Sequence, residues 1–166
     1  MQNRRDVLVG SLALTGSLAA AAPALAQPKS SPRVLAERFA ATLSAHDIEA
    51  FAALFADRYV NHQASAAAPP PPANTTPKQG TVGFFKARLT GLPDLQVTIE
   101  QMVADKDRVA ASFVYTGTHR GVYLGVAPTG RTLRFTSCDI FRVRNGRFVE
   151  HWGMGDLAGI LAQLKA

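Results

Sequence analysis

Residues 131–156 read RTLRFTSCDIFRVRNGRFVEHWGMGD, two runs in which apolar and polar residues alternate on either side of Asn145-Gly146. Alternation with period two marks a strand with one buried face. Asn-Gly between two such runs marks a hairpin, because the turn requires positive φ. On the first run Leu133, Phe135, Ser137, Asp139, Phe141 and Val143 share a face, so one carboxylate stands in an otherwise apolar row. Burying it costs several kcal/mol, roughly, unless it is protonated, paired or hydrogen-bonded. Two registers decide its partner. A two-residue turn at Asn145-Gly146 pairs Arg144 with Arg147 and Asp139 with Trp152. A three-residue loop, residues 144–146, pairs Val143 with Arg147 and Asp139 with His151. The second is preferred because it keeps two arginines from facing each other. It turns Ser137, Asp139, His151 and Gly153 inward and Cys138, Ile140, Phe148 and Trp152 outward.

Upstream, the pattern changes to the helical period. Ser31 and Pro32 supply an N-cap and a first helical position, followed by the stripe Leu35, Phe39, Ala40 and Leu43. Asp47 caps a short second helix with Ile48, Phe51, Leu54 and Phe55 on one side, and residues 57–63 leave the helix pair in an extended or single-turn conformation. Thr81 opens a third helix carrying Val82, Phe85, Leu89 and Leu92, which Pro93 ends. Strands are expected over residues 95–103 and 108–119, and Asp156 caps a last helix with Leu157, Ile160, Leu161 and Leu164. The order is helices, a four-stranded antiparallel meander, then a helix, which predicts an α+β fold with helices on one face of the sheet. The outer face looks too apolar for water, which predicts a homodimer. Residues 63–79 are Ala- and Pro-rich, with four prolines at 69–72. They read as a surface insertion in preference to a lid over a pocket mouth near His62, since nothing aromatic there could cover a ligand.

Composition adds the setting. Arg4-Arg5, a weakly apolar run to Ala22, and Ala24-Leu25-Ala26 form a twin-arginine-type export signal over residues 1–26, with Gln27 as the first residue after cleavage. The run is too short and interrupted for a membrane anchor, so the protein is expected to be periplasmic or secreted. Residues 27–166 suffice for one domain with a core. The net charge of +6 comes from dispersed residues, 13 of the 18 basic ones being arginine, which is no nucleic-acid footprint. A single cysteine, Cys138, excludes an internal disulfide, and it is expected to be sheltered in its strand. The polar residues expected to converge are His62, His119, His151 and Asp139. They lack metal-ligand spacing, so neither a metal nor a cofactor is expected. Asp139 with His151 suits acid/base work, and suits equally well a structural hydrogen bond that fixes the hairpin.

Six segments in order carry a resemblance: Tyr59-Val60-Asn61-His62, Pro93-Asp94-Leu95, Gly117-Thr118-His119-Arg120-Gly121, Pro128-Thr129-Gly130-Arg131, Asp139-Ile140-Phe141-Arg142 and Glu150-His151-Trp152. Over about residues 34–164 the chain resembles SnoaL-like polyketide cyclases, or ester cyclases, of the nuclear transport factor two-like superfamily. The resemblance implies a cone, a curved antiparallel sheet wrapped on three to four helices around an apolar pocket. It also implies intramolecular aldol ring closure without metal or cofactor, with an aspartate as acid and base. That aspartate stands directly after the Glu-His-Trp-like segment, where this chain has Gly153. The candidate catalytic residues are then Asp139, His151 and His62, and the candidate lining is Tyr59, Phe85, Phe113, Tyr115, His119, Phe135 and Phe141. Two functions stay open: an acid/base enzyme acting on an apolar carbonyl compound, or a protein that only binds such a ligand.

Overall fold

A computed structural model describes residues 30–63 and 72–166. The expected export signal and residues 64–71 of the Ala- and Pro-rich stretch lie outside these residues. Helix α1, Pro32–Ser44, starts as its sequence dictates, with Ser31 Oγ accepting from the Val34 N–H, and buries Leu35, Phe39 and Leu43. Helix α2, Ile48–Ala53, is capped by Asp47. It ends before Phe55, which opens strand β1, Phe55–Asn61, instead of continuing the helix. Helix α3, Pro77–Gly91, begins four residues earlier than Thr81, because Thr76 and Gln79 form a reciprocal capping box with Pro77 at the first position. The remaining elements are β2, Gln96–Ala104; β3, Arg108–Thr118; β4, Thr132–Arg144; β5, Arg147–Gly155; and α4, Leu157–Lys165.

These strands make one curved sheet in the order β1-β5-β4-β3-β2. It has five strands, not the four of the expected meander, and is mixed, because β1 runs parallel to β5. The inward rows of β3 and β4, with Phe113, Tyr115, Leu133, Phe135 and Phe141, close over α1 and form a core rich in aromatic rings. Phe39 lies at the centre of this core, with ring centres 4.8–5.6 Å from those of Phe51, Phe85, Phe113 and Phe141. Contacts of this kind contribute about 0.5–1.5 kcal/mol each beyond burial, enough for several together to fix how the helices sit in the cone. The loop after β3 is tied down by Asp94, whose carboxylate accepts from the Thr118 N–H and hydroxyl at 2.6 and 2.7 Å. Those hydrogen bonds hold its pKa below the usual carboxylate range.

The hairpin takes neither expected register throughout. Asn145 and Gly146 adopt φ of 51° and 72° and form the two-residue turn, so Arg144 does face Arg147. Both arginines are exposed, where water screens their repulsion to less than the turn geometry gains. A bulge then adds one residue to β5 between the Val143–Phe148 and Arg142–Glu150 pairs. From there on Asp139 lies opposite Gly153, and Phe141 opposite His151. The bulge turns both Phe148 and His151 inward. Phe148 is therefore fully buried core, contrary to its expected outward position. On the outer face Ile140 and Met154 are exposed, as is Cys138, which is not sheltered.

Candidate functional site

The bulge brings Asp139 and His151 together diagonally. Asp139 Oδ1 is 2.7 Å from His151 Nε2, and both residues are 6% exposed. Neighbours two positions apart on facing strands lie within reach of long side chains, so the expected contact forms although the expected register does not. The His151 ring is stacked on Phe141, with centres 4.7 Å apart. Its Nδ1 is 2.9 Å from Asn61 Oδ1. That oxygen also accepts from the Gln63 N–H at 3.0 Å, which fixes the amide orientation. An amide oxygen only accepts, so His151 Nδ1 carries a proton and Nε2 is the atom that exchanges one with Asp139. The pair thus shares one proton between Oδ1 and Nε2.

The other carboxylate oxygen is held as firmly. Ser137 donates to Asp139 Oδ2 at 2.5 Å. Since Ser137 has spent its proton there, the 3.3 Å contact between Tyr115 Oη and Ser137 Oγ is a donation from the phenol. A chain of donors runs from Tyr115 through Ser137 to Asp139, then His151 and Asn61. Burial pushes the Tyr115 phenol well above its ordinary value; the charge of Arg88 opposes this and that of Asp139 adds to it. Tyr59 also borders the pair. Burial again raises its phenol most, with Asp139 adding to the effect, while the Thr81 hydroxyl pulls the other way. Its Oη nonetheless has no partner in hydrogen-bond geometry.

Gly153 gives this pair its room. A Cβ there would overlap Asp139 Oδ1 and His151 Nε2. The acid that the resemblance places at 153 and the carboxylate of Asp139 therefore compete for one volume, and this chain fills it from β4. Gly153 and Ser137, which adjoin the pair, are only half-buried, and Asn61 is exposed, so the pair lies just beneath the surface.

The other candidates disperse. His62 follows Asn61 on β1 and therefore points to the opposite face of the sheet. There it stacks on Trp152 with ring centres 4.5 Å apart and meets Glu150 at 3.2 Å. Glu150 is held below the usual carboxylate range mainly by Arg142, then by His62. His62 is thus no part of the Asp139 cluster, and Asn61 takes the place expected for it. His119 is fully buried and accepts from the Thr129 N–H at Nδ1, bracing its loop away from the pair. Phe113, Phe135, Phe141, Tyr59 and Tyr115 are all core residues and Phe85 packs against them; of these Phe141 stacks on His151, and Tyr115 reaches Ser137. Among the described residues no three His, Cys, Asp or Glu side chains are grouped to hold a metal ion. An open depression of about 360 Å³ on the outer face, lined by Val103, Asp105, Arg108 and Ile140, lies across the sheet from Asp139 and plays no part in this arrangement.

Arg88 and Asn61 are the residues that sequence reasoning missed. Arg88 follows Phe85 by three positions and precedes Leu92 by four, which puts it on the apolar stripe of α3. Asn61 precedes His62 on an extended segment, so only one of the two could face His151.

The SnoaL-like polyketide cyclase family model matches residues 33–164. No curated protein matches the chain. Among solved structures, IdmH from Streptomyces antibioticus, a candidate polyketide cyclase, is 32% identical with a TM-score of 0.68, covering 81% of this chain and 99% of its own. AclR from Streptomyces galilaeus, a candidate hydroxylase, is 25% identical with a TM-score of 0.67, covering 81% and 80%. A SnoaL-like protein from Jannaschia sp., 20% identical with a TM-score of 0.64 and covering 80% and 90%, shares the fold. The match spans nearly all the described residues, and the curved sheet on four helices is the nuclear transport factor two-like architecture of these neighbours. The chain belongs to the SnoaL-like polyketide cyclase family.

Proposed function

We propose that this protein is an exported acid/base enzyme that works without metal or cofactor, an aldol-type cyclase or isomerase of an apolar carbonyl compound. Its proton-transfer group would be the Asp139–His151 pair. The observation that carries this is the buried 2.7 Å contact beneath a glycine whose missing side chain leaves the pair its space. With the pair's shared proton held on His151 Nε2, the Asp139 carboxylate takes the α-proton of the substrate, leaving an enolate. The enolate carbon bonds to a second carbonyl carbon of the same molecule. The alkoxide so formed takes the proton back. One C–H bond and one carbonyl π bond are exchanged for a C–C and an O–H bond, with nothing else consumed. Asn61 holds the imidazole in the required tautomer, and Tyr115 and Ser137 stabilise the carboxylate.

A second reading rests on the same geometry. Both oxygens of Asp139 already have partners, which suits a fixed structural pair in a protein that only binds an apolar ligand. Deuterium exchange separates the two. In D2O the enzyme would label the α-carbon of an apolar ketone such as 2-tetralone, and Asp139→Asn would not; a binding protein would label nothing in either form. In the same proposal the exposed outer face, with Ile140 and Met154, is covered by a second copy of the chain, and residues 1–26 direct export.

A further inference from the structure

Proton transfer at Asp139 leaves one buried charge without a task. Arg88 is 4% exposed. Its guanidinium carbon lies 4.7–4.9 Å from the ring centres of Phe84, Phe85, Tyr115 and Phe135, and its Nε donates to Tyr123 Oη at 2.9 Å. Among the described residues no carboxylate pairs with it. Aromatic faces attract a guanidinium but do not satisfy its N–H groups, which seek oxygen acceptors in its own plane. Two side-chain polar atoms of the described residues are sealed without a partner, Tyr59 Oη and His119 Nε2. Among the described residues the Arg88 Nη nitrogens have no hydrogen-bond partner either.

The surroundings are built to hold this arrangement. Tyr123 is brought to Arg88 by a tight turn closed by Val126, in which Leu124 takes φ of 49° and Gly125 of 77°. A leucine in left-handed backbone is unfavourable and persists only where its surroundings impose it. Gly91 on α3 leaves the space that the Tyr123 ring fills. Phe84, Phe85, Leu89, Leu124 and Val126 are half-buried against the core, so the edge around Arg88 is apolar. Asp139, the nearest opposite charge along the donor chain, is kept from Arg88 by Tyr115 and Ser137.

We propose that Arg88 recognises a carboxylate on an otherwise apolar ligand, its Nη groups taking the oxygens while Phe84 and Phe85 pack on the ligand body. This rests on the reading of the interior as a ligand site and names the substrate class as apolar acids. The test is calorimetric titration of the intact protein with 2-naphthoate and with 2-naphthamide, which has the same shape without the charge. The carboxylate is expected to bind about tenfold more tightly or better, as a charge-assisted pair shielded from water would give. Arg88→Met is expected to lose that preference while holding the amide within about twofold, and Arg88→Lys to keep part of it. Equal affinity of the two probes in the wild type, no binding of either, or a preference surviving in Arg88→Met would overturn the proposal. Because losing a buried guanidinium also threatens folding, the wild type supplies a check that needs no variant: the Arg88 Nε–H resonance should shift with 2-naphthoate and not with 2-naphthamide. Asp139→Asn is expected to keep the preference while losing deuterium exchange, so the two proposals fail separately.

Discussion

Gly153→Ala tests the structural claim that one volume holds either a side chain at 153 or the Asp139–His151 hydrogen bond. The added Cβ would overlap both Asp139 Oδ1 and His151 Nε2, so the strands must part or the hydrogen bond must break. Overpacking of a tight site costs about 1–3 kcal/mol, and a lost hydrogen bond to a charged group about 1.5–3 kcal/mol. Urea unfolding at fixed pH is therefore expected to show a loss of roughly 1–3 kcal/mol, whichever of the two gives way. In an Asp139→Ala background the carboxylate is gone though His151 Nε2 still borders the added methyl, so the same substitution should cost at least about 1 kcal/mol less than in the wild type. Four proteins, the wild type, both single variants and the double variant, complete the cycle. Additivity within about 0.5 kcal/mol is the expectation for independent sites. Finding it here would refute the claim that Gly153 exists to make room for Asp139.

Two further predictions concern assembly and export. Ile140→Arg places a charge on the exposed outer face, which carries Met154 and Cys138 as well; light scattering at micromolar concentration should show a dimer for the wild type and a monomer for the variant, and a monomeric wild type would remove the interface. Intact-mass measurement of the exported protein should show Gln27 as its first residue, and replacing Arg4 and Arg5 by lysine should retain precursor in the cytoplasm; a variant exported at the normal rate would rule out the twin-arginine route.

How far the sequence reveals this site depends on the range of each signal. Ser31, Asp47 and Asp156 cap helices through hydrogen bonds within three residues, so local reading finds them. The inward row of β4 follows from alternation alone. The bulge in β5 is different: it comes from what Phe148 and His151 meet across the sheet, and the local pattern of Arg147 to Trp152 carries no glycine to announce it. The wrong turn followed from counting an exposed arginine pair as a strong repulsion, when Asn145-Gly146 geometry decides the tip. β1 was hidden because Phe55 continues the helical spacing of Phe51, and only pairing with β5 makes it a strand. His62 was misplaced and Asn61 overlooked for the same reason, since which of two neighbours faces inward is set by a partner strand distant in sequence. Arg88 was readable in principle, as a charge on an apolar stripe.

The central claim is that the Asp139–His151 pair moves a proton to and from carbon. Mass spectrometry of 2-tetralone incubated in D2O, with ketone binding measured on the same samples, tests it most directly. The wild type is expected to incorporate deuterium at the α-carbon well above the solvent rate, and Asp139→Asn to bind the ketone as well but label it no faster than solvent alone. Labelling by Asp139→Asn at the wild-type rate would contradict the account, because the proton would then be passing through some other group.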